Sequence, residues 1–428
     1  MQDTEQLLEI FETSTGVSID SRNVDPGNIF FALKGEHSDG NMFAQMAVEK
    51  GAGYVVIDNE KYLPETSDEK YFLVKDSLQA LQNLASAYRN TLKIPVIAIT
   101  GSNGKTTTKE LLHVVLQKKY PAFATKGNLN NHIGVPLSLL SVTQEQKIAI
   151  IEMGANHQKE ISFLCNITKP THGLITNVGK AHLEGFGGEE GVKKGKSELY
   201  QYIMQQGGVV FANSGQEKLF DVYKDYKQLI TYGFKKDDFV SGKIISSLPF
   251  ATIEIENVRI ESNLVGQYNA ENILAAACVG KYFGADMQQI KDAIESYLPS
   301  NNRSEWKEIN GNYFILDAYN ANPSSMQAAI ENFMRLDVSP KILIMGDMLE
   351  MGEYAKEEHK HILHLAEAGK FNELITVGKE FKNIDAKNVT AFENISQAKD
   401  YFLSKNYIGC YILLKGSRGI ALEKIVEQ

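Results

Sequence analysis

Ile94–Glu110 reads IPVIAITGSNGKTTTKE. An apolar, β-branched strand ends in Gly101-Ser102-Asn103-Gly104-Lys105-Thr106-Thr107 and gives way to a helix. Glycines let such a loop wrap closely round a phosphate, so that backbone N–H groups and the helix N-terminus point at the anion. Lys105 adds a mobile cation for the β and γ oxygens, and the Thr106 hydroxyl stands where Mg²⁺ is coordinated. The commoner spacing GxxxxGK[ST] would put glycine at position 99, where this chain has Ile99; the form present is the shorter GxxGKTT. An ordinary glycine-rich turn is the competing reading, and the strand–loop–helix context argues against it. The loop from Gly101 to Thr107 is therefore expected to bind a nucleotide, ATP.

Buried strands alternating with helices continue from this point, the signature of an α/β fold with a largely parallel sheet. Strands are predicted at 94–100, 147–153, 171–178 and 207–213, followed by helices at 268–284 and 286–297. Short strands between Leu229 and Leu264 predict an antiparallel insertion or side sheet. Upstream, short strands begin at Val17, Ile29, Tyr54 and Tyr71, with Asp25-Pro26-Gly27 as a turn. A helix follows at Ser77–Thr91, with Ser77 as its expected N-cap. The polar stretch 298–302 reads as a linker and a hinge is expected near 298–303. Beyond it strands at 313–318, 341–347, 372–378 and 410–416 alternate with helices at 323–336, 354–369 and 395–405, a second, smaller Rossmann-like unit. The expected fold class is α/β in three domains: a small mixed α/β domain (1–91), a central P-loop-type domain with a mostly parallel sheet (92–299), and a C-terminal Rossmann-like domain (300–428).

Composition fits this. The 428 residues are 43% hydrophobic and 23% charged, which excludes a disordered chain, a collagen-like repeat and a small stapled scaffold. A net charge of −9 supplies no global positive field, so no nucleic acid is expected and anionic ligands must be held by local groups. The odd set Cys165, Cys278 and Cys410 gives neither a disulfide framework nor a four-thiolate zinc site. The first residues lack a basic region followed by an apolar one, and no apolar run approaches the roughly 18 residues of a membrane span. A soluble, cytoplasmic protein is expected.

In doubly wound sheets ligands sit at the C-terminal ends of the strands. Glu152 ends one apolar strand, where a carboxylate holds magnesium directly or through water. His182 lies past another in the glycine-rich NVGKAHLEGFG, as a metal ligand, a phosphate contact or a structural histidine. Lys196, in GKSEL, sits where lysines usually form a solvated helix face, and pattern alone gives it no role. Asn269 and Asn272 open a helix, either reading a purine edge or simply capping. Arg303 follows the linker as a cation that reaches back to a phosphate. Asp317, and Lys415, Ser417 and Arg418, end two further strands.

Taken together, DSRNVDPGNIFFALKGEHSDGNMF (20–43), TGSNGKTTTKE (100–110), TKGNLNNHIGVPL (125–137), EMGANHQKEI (152–161), NVGKAHLEGFG (177–187), GQYNAENILAAA (266–277), DAYNANPSSM (317–326), GDMLEMG (346–352) and LLKGSR (413–418) resemble the Mur ligase family over essentially the whole chain. The short phosphate loop is that family's usual form. The resemblance implies amide formation between UDP-MurNAc-tripeptide and D-Ala-D-Ala, through an acyl phosphate, with ATP going to ADP and phosphate. It implies Lys105 and Thr106 for ATP and magnesium, Glu152 and His182 for metal (two Mg²⁺ ions), and a carbamylated Lys196. It further implies Asn269 or Asn272 for adenine, Arg303 and Asp317 closing on ATP, Ser21 and Arg22 for the uridine diphosphate, and Asn128, Asn130 and Asn131 for the tripeptide. Asn320 and Asn322, with Lys415, Ser417 and Arg418, would receive the dipeptide. Where the family often has paired acids before Ser-Tyr, this chain has Leu316-Asp317-Ala318-Tyr319, so only Asp317 is carried over. A monomer is expected. The alternatives are a ligase adding the third residue, disfavoured because NANPSSM stands where a DNPR-type string would, and a P-loop ATPase or switch protein.

Overall fold

Across residues 2–36, 38–65, 68–300 and 302–427, which the computed structural model describes, the strands assemble into three sheets. Asn301 of the expected hinge and the chain ends Met1 and Gln428 lie outside the described residues.

The first sheet runs β1 (Val17–Ser18), β2 (Ile29–Phe31), β3 (Tyr54–Ile57), β4 (Tyr71–Leu73) in chain order, all parallel. Phe30, Ala32, Val55 and Ile57 pack with Ala44 and Ala47 into its core. The helix Ser77–Thr91 is capped one residue earlier than expected. Asp76 is extended and its carboxylate accepts the Gln79 N–H at 2.9 Å, so Ser77 is the first helical residue and not the cap.

The second sheet holds β5 (Val96–Thr100), β6 (Ala122–Ala124), β7 (Ile148–Glu152), β8 (His172–Ile175), β9 (Val209–Asn213), β10 (Leu229–Gly233), β11 (Val240–Ser246), β12 (Phe250–Ile255) and β13 (Val258–Val265), in the order β13-β12-β11-β10-β9-β8-β5-β7-β6. Every residue of β5 and β7 is buried, as their continuous apolar runs require of strands covered on both faces. The expected antiparallel region is smaller than predicted. β10 follows the helix Glu217–Tyr223 and pairs parallel with β9, as a crossover connection dictates. Only β11, β12 and β13 form an antiparallel meander, and Glu256 and Asn257, both at positive φ, make the tight turn between its last two strands.

The third sheet contains β14 (Glu305–Ile309), β15 (Asn312–Asp317), β16 (Lys341–Gly346), β17 (Glu373–Val377), β18 (Thr390–Phe392) and β19 (Tyr411–Lys415), ordered β14-β15-β19-β16-β17-β18. It is parallel except for β14, which folds back on β15 through Asn310-Gly311. Phe314, Leu316, Ile342, Ile344, Ile412 and Leu414 supply its core.

The chain separates into two compact units, Met1–Ile99 with Tyr120–Gly154 and Glu160–Gly173, and Thr100–Lys119 with Ala155–Lys159 and Leu174–Gln428. Among the described residues no helix is long and apolar enough to cross a membrane.

Candidate functional site

The phosphate loop lies in the second unit. Gly101 has φ +146°, and a Cβ there would stand 2.0 Å from Thr176 Oγ1. Gly104, at φ +78°, is the residue from which the helix Lys105–Gln117 starts, and a Cβ on it would meet Asn272 Oδ1 at 2.6 Å. Both positions therefore admit only glycine. The loop is fastened to the segment after β8. Ser102 N–H donates to Asn177 O and Asn103 N–H to Asn177 Oδ1, each at 3.0 Å. Thr176 Oγ1 donates to Asn103 O at 2.6 Å, and Ser102 Oγ exchanges hydrogen bonds with the Gly179 backbone. Lys105 Nζ folds back on the loop, donating to Gly101 O at 2.7 Å and Ser102 O at 3.3 Å. Thr106 is buried at the helix start and Thr107 follows it on the same helix.

Asn269 and Asn272 are buried and joined in a relay to this helix. Asn269 Nδ2 donates to Val265 O, Asn272 Nδ2 donates to Asn269 Oδ1, and Thr108 Oγ1 donates to Asn272 Oδ1. The three-residue spacing places both amides on one face, and that face braces the phosphate-loop helix.

Four hydrogen bonds tie the loops after β5 and β8 to residues that follow β15 and β16. Asn322 Nδ2 donates to Asn103 Oδ1 at 2.8 Å. Its own Oδ1 accepts Ser325 N–H at 3.0 Å, so Asn322 also caps the helix Pro323–Arg335. Lys180 N–H donates to Ser324 Oγ at 2.9 Å while its Nζ reaches Glu358 at 2.6 Å. His182, at φ +51°, turns Nδ1 to the carboxylate of Glu350. That hydrogen bond holds the Glu350 carboxyl below its ordinary range against the opposing effect of burial.

Glu350 was not legible as a site residue. It sits in GDMLEMG after β16, and its loop is held by two buried groups. Asp347 accepts Glu380 N–H at 2.9 Å and Phe381 N–H at 3.0 Å. His359 Nε2 accepts Met348 N–H at 2.9 Å, which leaves Nδ1 to donate to Ala355 O at 2.7 Å.

Lys196 does not lie on a solvated helix face. It is 1% exposed within the helix Glu189–Gln205, donates to Ala155 O at 3.1 Å and lies 5.1 Å from the Phe186 ring centre. Glycines at 191 and 195 let that helix approach Phe186, so the lysine is drawn inward while Lys194 remains exposed.

At the C-terminal ends of β15 and β19, Asp317 pairs with Lys415 at 3.2 Å, and Lys415 Nζ also donates to Asn320 O at 2.6 Å. Ser417 Oγ accepts Leu349 N–H at 3.0 Å. Arg303 and Arg418 both lie against the Tyr319 ring. Asn320 is exposed.

The first unit holds the remaining residues. Glu152 ends β7, is buried, and accepts Asn130 Nδ2 at 2.7 Å; its N–H donates to Thr125 Oγ1. Asn128 O accepts Asn130 N–H, and Asn131 Oδ1 receives Gly134 N–H at 2.8 Å at the start of the helix Gly134–Leu140. Ser21 is buried, whereas Arg22 projects into solvent in a two-pronged pair with Asp20. The guanidinium pulls the Asp20 carboxyl down to about 2. Among the described residues no group of three or more His, Cys, Asp and Glu side chains forms a metal cluster.

A glycine loop at a strand end, helix N–H groups above it and a lysine folded over it define a phosphate-loop α/β protein. Three family models match in series: "Mur ligase family, catalytic domain" over 13–96, "Mur ligase middle domain" over 99–280, and "Mur ligase, glutamate ligase domain" over 302–418. The UDP-N-acetylmuramoyl-tripeptide--D-alanyl-D-alanine ligase of Bacillus subtilis (strain 168) is 34% identical over 430 residues, covering 96% of this chain and 92% of the relative. The crystal structure of MurF from Acinetobacter baumannii superposes with a TM-score of 0.87 at 29% identity, covering 99% and 97% of the two chains. MurF ligase from Thermotoga maritima in complex with ADP gives 0.84 at 26% identity and 97% of each. The chain belongs to the Mur ligase family.

Proposed function

We propose that the chain joins D-alanyl-D-alanine to UDP-MurNAc-tripeptide, forming an amide while ATP becomes ADP and phosphate. The observation that carries this reading is the whole-length similarity to ligases of that name, together with a phosphate loop hydrogen-bonded to Asn322, the cap of the helix after β15, within one compact unit. The tripeptide carboxylate attacks the γ-phosphorus and ADP leaves. The dipeptide amine then attacks the acyl phosphate and phosphate leaves, one proton being lost from the amine. No protein nucleophile is required, so the chain's task is positioning and charge neutralisation. Lys105 and the N–H groups at the start of its helix hold the transferring phosphate, because the Ser102 and Asn103 N–H groups are spent on Asn177. Ser102 and Asn103 shape the loop, Thr107 stands in the first turn of its helix, and Asn269 and Asn272 fix that helix from behind.

Buried oxygen donors suit a hard divalent cation, and both Thr106 and Glu152 are buried. The proposed magnesium donors are the Thr106 hydroxyl, the Glu152 carboxylate and the His182 imidazole, a reading that rests on their sequence motifs. Bound there, Mg²⁺ neutralises phosphate charge. Addition of CO₂ to neutral Lys196 Nζ, with loss of a proton, turns a buried amine into an anionic oxygen donor; its burial beside Phe186 supports that reading. Arg303 and Asp317 are assigned to ATP, Ser21 and Arg22 to the uridine diphosphate, and Asn128, Asn130 and Asn131 to the tripeptide. Asn320, Asn322, Lys415, Ser417 and Arg418 are assigned to the dipeptide. Domains 1–91, 92–299 and 300–428 divide these tasks, with a hinge near 298–303. The reading further takes the chain as a cytoplasmic monomer.

Phosphate release with ATP and UDP-MurNAc-tripeptide, measured with and without D-Ala-D-Ala, tests this alongside mass detection of the pentapeptide. Dipeptide-dependent release with product is expected. Equal release in both conditions without product points to the ATPase alternative and removes the ligase reading.

A further inference from the structure

Tyr319 follows β15 in the segment Asp317-Ala318-Tyr319-Asn320. The guanidinium carbon of Arg303 lies 3.6 Å from its ring centre and that of Arg418 lies 5.4 Å away. These arginines come from opposite ends of the third domain's sequence, one just before β14 and one just after β19. Among the described residues neither guanidinium donates a hydrogen bond or meets a carboxylate within 4.0 Å. The neighbouring acids are already committed: Asp317 to Lys415 at 3.2 Å and Glu305 to Lys307 at 2.8 Å. In a chain with 53 acids against 44 lysines and arginines, two arginines without an acid do not reflect a shortage of partners.

A guanidinium stacked on a ring uses its face and keeps its N–H edge. Arg303, its guanidinium carbon 3.6 Å above the ring centre, is thus held over the ring with all five donors unspent. A second guanidinium on the same ring brings like charge close, which an arriving oxyanion would relieve. We propose that Tyr319 is a positioning residue that gathers Arg303 and Arg418 into one receiver for an oxyanion of the reaction. The shared chemistry is a planar or tetrahedral set of anionic oxygens, from either the nucleotide phosphate or the free carboxylate of the amino dipeptide. The inference rests on the ligase reading and changes it in one respect: Arg303 and Arg418, assigned there to different substrates, act here on one oxyanion, gathered by a residue that the sequence did not single out.

The test is steady-state kinetics of Tyr319→Ala and Tyr319→Phe, with ATP and D-Ala-D-Ala varied separately. Folding is followed by emission of Trp306, the single tryptophan. Tyr319→Ala is expected to raise KM for one of the two substrates about tenfold while kcat changes less, and Tyr319→Phe to stay within about twofold of wild type. A rise confined to ATP assigns the receiver to phosphate. A rise confined to the dipeptide assigns it to the carboxylate, and the dipeptide's C-terminal amide should then be insensitive to the substitution. Unchanged KM for both substrates, equal damage from Phe and Ala, or a loss explained by a lowered melting temperature overturns the proposal. If wild type makes the pentapeptide and Tyr319→Ala leaves both constants unchanged, only this inference fails; if wild type makes none, the ligase reading fails first.

Discussion

Glu350 meets His182: a carboxylate on the loop after β16 hydrogen-bonds the imidazole on the loop after β8. Because Nδ1 takes that contact, Nε2 is the ring nitrogen left for any other ligand, which is how a carboxylate partner commonly sets a histidine's working face. Glu350→Ala should therefore reduce turnover by about ten- to a hundredfold. Glu350→Gln, whose amide oxygen still accepts a hydrogen bond, should lose less. Turnover assays on the two variants decide it, and equal loss would contradict an orienting role.

Asn322 has two separable duties. As a cap it stabilises the helix Pro323–Arg335, and Asn322→Ala should cost about 1 kcal/mol, read as a lowered melting temperature. Asn322→Asp keeps an acceptor for Ser325 N–H but has no amide to donate to Asn103 Oδ1. It should preserve stability while weakening ATP binding, measured by calorimetry. An unchanged ATP affinity would show that the contact with the phosphate loop is incidental.

His172 gives the stability a pH dependence. Burial in β8 pushes its pKa down to about 4 from the ordinary 6.5. The unfolded chain therefore binds a proton that the folded chain resists, and stability falls as pH drops from about 6.5 toward 4. Denaturant unfolding should show up to roughly 3 kcal/mol of this loss in wild type and a flatter profile in His172→Gln over the same range. Parallel profiles would contradict the assignment.

Lys196→Ala should cut turnover by about a hundredfold or more, and short carboxylic acids should restore part of it if a carbamate supplies the missing oxygens. Undiminished turnover would remove Lys196 from the mechanism. Loss without rescue would leave it as a buried structural cation.

The alternation of apolar strands and helices was readable because β5, β7 and the parallel strands of the third sheet are continuous apolar runs. β14 carries no clear strand signal because EWKEI is mostly polar and none of its residues is buried, although Asn310-Gly311 behind it is the turn signal of a hairpin. β10 was misassigned since a five-residue strand carries no mark of its partner's direction; the preceding helix does. Within the site, Gly101, Gly104 and Lys105 were legible from local sequence because a phosphate loop is one contiguous segment. Glu350 and Tyr319 were not, since each acts on residues more than a hundred positions or a strand distant, or through a ring whose partners only the fold assembles. Lys196 looked like surface lysine until its helix was packed against Phe186.

The central claim is that the tripeptide carboxylate, and not water, takes the γ-phosphoryl group before the dipeptide amine attacks. UDP-MurNAc-tripeptide carrying ¹⁸O in its terminal carboxylate, turned over with ATP and D-Ala-D-Ala, tests it most directly. Mass spectrometry should find one label in the released phosphate for each pentapeptide formed, with the other label retained in the new amide. Unlabelled phosphate, with or without pentapeptide, would contradict the account.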